Sequence, residues 1–160
     1  MNIILEEIIS GLPDVRQMAS LVSRLLTAMI LGALVGAQRE QSGKPAGLRT
    51  HVLVAMGGAL FVLAPLEAGM ELDGTSRVIQ GIVTGIGFIG AGAILKLQEK
   101  REIEGLTTAA GVWMTAAIGI AAGLGRLGLA LISTILTWIT LSALQKIDEP
   151  ETMKSLKFSC

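Results

Sequence analysis

The sequence is poor in the residues from which most active sites are built. Its only cysteine is Cys160 and its only histidine is His51. A single cysteine excludes an internal disulfide and any cysteine-based metal cluster. A single histidine with no Ser–His–Asp or Cys–His set around it argues against nucleophilic catalysis, so no enzyme, cofactor or metal site is expected. Charge is also scarce, at 16% of residues, where soluble domains hold about a quarter. The formal net charge is zero, so no global basic field points to nucleic acid. The first ten residues, MNIILEEIIS, carry Glu6 and Glu7 where a signal peptide would carry Lys or Arg, and no cleaved signal is expected.

What remains is apolar and rich in glycine. Half the 160 residues are hydrophobic (51%) and 20 are glycine. Several uncharged runs approach the roughly 20 residues that cross a bilayer as a helix. Five apolar segments stand at about 19–37, 51–68, 78–95, 106–124 and 127–145, three of them with no charge inside. The expected class is an all-α integral membrane protein, a close-packed bundle of about five transmembrane helices. Arg24 near the start of the first span snorkels to the headgroups, and His51 and Glu67 fall at the interfaces. Residues 1–18 form an interfacial segment, 19–147 the transmembrane domain, and 148–160 a short cytoplasmic tail. Ile4, Ile8 and Leu12 at helical spacing suggest a short interfacial helix.

Lys and Arg set the orientation. Nine of the 13 fall in the loops after the first and third segments and in the tail, against four on the other side. The bias predicts an external N-terminus and a cytoplasmic C-terminus. Inside the bilayer, small residues at four-residue spacing mark faces of close helix approach. The first span carries Ala28, Gly32 and Gly36, and the fourth Thr108, Gly111, Thr115, Gly119 and Ala122. The third carries Gln80, Thr84, Gly87 and Ala91 on one face, with Gly81, Gly85 and Gly92 on a second. The first, third and fourth spans are therefore expected to form the tight bundle, around a seam of Gln80, Thr84, Gly87, Gly90, Thr107, Thr108, Gly111 and Trp113. The second and fifth, with fewer small residues, are expected outside it, although Gly57 and Gly58 leave the second open. GIGFIG, Gly85–Gly90, matches G-x-G-x-x-G but lacks the strand before it and is no dinucleotide site.

Three motifs in order carry a resemblance: GAQRE with GKPAGLRT, then GIGFIGAGAIL, then GLTTAAGVWMTAAIGIAAGLG. From about Leu21 to Leu144 the chain resembles the MgtC/SapB family of membrane proteins. Gln38 stands where the family pattern usually has a Glu, and Gly111 where a Thr is more usual. The resemblance implies Arg39, Glu40, Lys44, Gly47, Arg49 and Thr50 as a functional loop, in a short form without the cytoplasmic C-terminal domain some members carry. It also implies a bacterial inner-membrane protein linked to magnesium limitation and, in pathogens, to virulence. Its partners would be the lipid bilayer and another membrane protein, the F-type ATP synthase being one named for some members, with a homo-oligomer open.

Read from its residues, the loop separates two roles. Arg39, Lys44 and Arg49 suffice as topology determinants, with Glu40 pairing one of them. Alternatively the loop folds back on the bundle, where Glu99, Glu102 and Glu104 answer its arginines and its cations grip phosphate or carboxylate. The expected function is a non-enzymatic membrane regulator. The alternative is a transporter or channel for magnesium or another small ion. That reading suffers because no span buries an Asp or Glu near its middle, while magnesium favours oxygen ligands.

Overall fold

In a computed structural model, residues 14–97 and 102–156 are described, with side chains for 14–94 and 105–143. Five helices follow one another: α1 (Val15–Gln41), α2 (Leu48–Glu67), α3 (Leu72–Gly92), α4 (Leu106–Gly123) and α5 (Leu127–Leu156). Between α3 and α4 lies a short antiparallel ladder of β1 (Leu95–Leu97) and β2 (Glu102–Glu104), with Lys96 opposite Ile103. The all-helical class is as expected, with this two-stranded ladder as its one addition among the described residues. The proposed helix over residues 2–12 lies outside the described residues.

α1 starts four residues earlier than its apolar run. Asp14 caps it, accepting from the Val15 N–H at 2.8 Å, while Gln17 reaches back to the Asp14 N–H at 3.1 Å. This reciprocal box satisfies N–H groups a helix start leaves bare. Among the described residues, three helices are long and apolar enough to cross a membrane, namely α1, α2 and α4, and Leu127–Ala143 of α5 is a shorter apolar stretch. α3 opens on Asp73 and Arg77 and falls below that standard.

The core lies among α1, α2 and α4. Ala28, Leu31, Val35, Ala55, Ala59, Ile118 and Ala122 are all buried there. α2 runs parallel to α4 and antiparallel to α1. Close approach is made by glycine on one helix against backbone on the next. A Cβ on Gly32 would sit 2.7 Å from both the Cβ and the carbonyl oxygen flanking it, those of Ala55 and His51. On α4, a Cβ at Gly123 would sit 2.7 Å from the Ala59 carbonyl oxygen, and one at Gly119 would collide with that of Ala55. Gly111, Thr115, Gly119 and Gly123 thus form one face of α4 laid along His51, Ala55 and Ala59 of α2.

This corrects the expected bundle. The second span is central and the third peripheral. α3 buries only Thr75, Ile86 and Gly90, and Gly81, Gly85, Gly87 and Gly92 have no neighbouring atom where a Cβ would stand. These four glycines have no helix packed over them, while Gly90 packs against Ala109 of α4.

Candidate functional site

The charged stretch after α1 is two helix ends and a short turn. Lys44 N–H donates to the Arg39 carbonyl at 3.1 Å and Gly43 N–H to that of Glu40 at 3.0 Å. These paired bonds close α1 in a Schellman motif, with Gly43 in the left-handed region at φ +66° as its geometry requires. Glu40 then turns forward. Its carboxylate accepts from the Leu48 N–H at 2.8 Å, at the first residue of α2. A Cβ on Gly47 would come within 2.8 Å of that carboxylate oxygen, so a side chain here would push the Glu40 carboxylate from its place. Glu40 therefore caps a helix instead of pairing with a cation of its loop. The acid sits at the positive end of the α2 dipole, a position worth about 0.5–1 kcal/mol. Glu40→Ala is expected to lose that amount in detergent unfolding, and Glu40→Gln, which keeps an acceptor, less.

Arg39 leaves the loop altogether. It is 4% exposed and its Nη2 donates to Thr108 Oγ1 of α4 at 2.6 Å. About two turns further along α4, His51 is fully buried, with Nδ1 2.7 Å from Thr115 Oγ1. The Thr115 hydroxyl spends its proton on the Gly111 carbonyl at 2.8 Å. By proton count Nδ1 must then donate to Thr115, and Nε2 is left without a partner among the described residues. His51 thus faces the interior of the bundle. It occupies the face of α2 that carries Ala55 and Ala59, four and eight residues on, and that spacing in the sequence is the signal that places it inward.

α1 reaches the far end of α4 as well. Arg24 Nη1 donates to the Gly123 carbonyl at 3.1 Å, an orphan acceptor at the negative end of the α4 dipole. Gly125, at φ +75°, closes that end with a second Schellman turn, its N–H on Ala122 and that of Arg126 on Ala121, both at 2.9 Å. Arg24 is half-buried and serves as a cap on α4.

The remaining expected site residues divide. Thr108, Gly111 and Gly90 face other helices, Gly90 with Ala109 at 3.6 Å from its Cβ position. Thr107 and Trp113 are exposed. Gln80, Thr84 and Gly87 are exposed on α3, with the Thr84 hydroxyl spent on the Gln80 carbonyl at 2.9 Å, so these three leave the seam. Lys44 and Arg49 are exposed and Thr50 is half-buried. Gln38, missed as a packing residue, donates to Ser142 of α5 at 3.2 Å while its Oε1 is buried without a partner. The side chains of Glu99, Glu102 and Glu104 lie outside the described residues. No set of three His, Cys, Asp or Glu groups comes together among the described residues.

The sequence profile of the MgtC family matches residues 25–149. Protein SrpB of Synechococcus elongatus is 44% identical over 136 residues, covering 78% of this chain and 75% of that protein. Protein MgtC of Salmonella typhimurium is 45% identical over 115 residues, covering 72% of this chain and 48% of that protein. YhiD of Escherichia coli K12 is 40% identical over 136 residues, 81% of this chain and 62% of its own. The chain thus spans about half the length of MgtC. No solved structure matches it.

Proposed function

This multi-pass membrane chain belongs to the MgtC family, and from that premise we propose that it is a non-enzymatic regulator that grips another membrane protein along α3. It works in the bacterial inner membrane, with its N-terminus outside and its C-terminus in the cytoplasm. The observation that carries this reading is the uncovered small-residue face of α3. Gly81 and Gly85 lie one turn apart with open space over each. They line an apolar groove of about 710 Å³ shared with Leu53, Gly57 and Phe61 of α2. Bare backbone at four-residue spacing is what a transmembrane helix needs for close approach. The fitting occupant is a helix that also presents small residues, and the F-type ATP synthase is the first partner to try.

The test is growth of a magnesium-limited strain that depends on this chain. Gly85→Leu fills the groove and is expected to abolish growth support and co-purification of the synthase, while detergent stability stays unchanged. Retained function would dismiss the α3 face, and self-association lost in the same variant would name a second copy as the occupant. Purified protein in proteoliposomes is expected to pass no magnesium, and flux above protein-free vesicles would replace this reading with transport.

A further inference from the structure

The two arginines of α1 meet opposite ends of α4, and only one of them is electrostatically matched. Arg24 lies at the carbonyl end, where a cation belongs. Arg39 lies at the amino end, where the dipole is already positive. It is 4% exposed, its Nε has no partner, and no ion pair with a carboxylate is found for it among the described residues. A buried guanidinium held by one hydroxyl is left short of negative charge.

Among the described residues, the lining supplies donors and no acid. A cavity of about 330 Å³ is lined by Arg39, Lys44, Pro45, Ala93, Gly105, Thr107 and Thr108. Thr108 accepts from Arg39 and so keeps its own hydroxyl proton to give. α4 starts behind Gly105 at φ +93° with no side-chain cap, so N–H groups of its first turn point out of the helix end. A Cβ on Gly105 would collide with the Ala93 carbonyl, so the entry to the helix is held tightly in place. Guanidinium, ammonium, two hydroxyls and a bare helix start together match a tetrahedral oxyanion, which takes several donors at once.

We infer that this cavity at the head of α4 binds a phosphate group, carried either by free inorganic phosphate or by the headgroup of an anionic lipid. Arg39 is the buried charge that holds it, Lys44 closes over it from the rim, and Thr107 and Thr108 orient its oxygens. This site is separate from the α3 groove and stands or falls without it.

The test uses the purified full chain. Thermal unfolding is followed in neutral detergent against inorganic phosphate, with chloride at equal ionic strength as reference. It is then followed in nanodiscs of phosphatidylcholine with and without phosphatidylglycerol. Arg39→Gln is expected to lose the response. Because a buried residue can fail on folding alone, Lys44→Ala and Thr107→Val, both at exposed positions, carry the decision. Each should raise the half-saturating concentration about tenfold, the value of one charge-assisted bond. Stabilisation by phosphate that the variants weaken assigns the site to the free anion. Stabilisation by phosphatidylglycerol alone, weakened likewise, assigns it to a headgroup. No stabilisation by either, or equal responses in wild type and variants, overturns the proposal, including the case in which a carboxylate of the β1–β2 segment fills the cavity.

Discussion

One methyl group added at Gly119 is expected to destabilise the protein by about 3 kcal/mol, the upper part of the range for overpacking. The same methyl at Gly87 is expected to stabilise it by about 0.5–1 kcal/mol, the usual gain of Ala over Gly inside a helix. Both glycines are helical and differ only in what faces them. At Gly119 the new Cβ would collide with the Ala55 carbonyl, whereas at Gly87 it meets nothing within 4 Å. A backbone carbonyl cannot swing aside like the end of a long side chain, so α2 and α4 must move apart. Gly123→Ala should behave like Gly119→Ala, because its Cβ would lie 2.7 Å from the Ala59 oxygen. Thermal unfolding in detergent, read by the fluorescence of Trp113 and Trp138, measures all three. Equal midpoints for Gly119→Ala and Gly87→Ala would remove close backbone contact as the basis of the core.

His51→Ala is expected to cost about 3 kcal/mol. The imidazole is fully buried, and truncating a large core side chain loses both its transfer energy and the cavity it leaves. Thr115→Val separates the polar part. It keeps the shape of the side chain and leaves His51 Nδ1 with no acceptor in place of the contact at 2.7 Å, at a cost of about 1–3 kcal/mol. His51→Phe with Thr115→Val restores an apolar pair and should recover much of the loss, since removing both partners is gentler than removing one. Additive losses in this cycle would mean that the two residues pack without bonding.

The apolar segments are plain in the sequence because a helix that crosses lipid must satisfy its own backbone there and so runs long and apolar. Which segments touch is less plain, and the reason is physical. Close approach needs a missing side chain on only one of two helices. Gly119 and Gly123 supply the gap, while α2 answers with the carbonyls of Ala55 and Ala59. Counting glycines in α2 alone therefore understates it, and counting them in α3 overstates it. The face of α4 through Gly111, Thr115 and Gly119 is legible from spacing, and so is the inward turn of His51 once it is set beside Ala55 and Ala59. The role of Glu40 is hidden, because a cap on a helix eight residues away depends on the turn between them. The burial of Arg39 is hidden for the same cause: within a charged string, nothing local says which cation is turned inward.

Arg24 and Arg39 are 15 residues apart, as are Thr108 and Gly123, so α1 fits α4 like a caliper with two jaws. At 1.5 Å per residue the opening is about 22 Å. A slide of α1 by one turn, about 5.4 Å, would unseat both jaws together, which leaves α1 one axial setting and no halfway position. A pull on Arg39 near the end of α1 is thus felt by Arg24 near its start, and a residue inserted between them would lengthen the opening by about 1.5 Å and let only one jaw seat at a time.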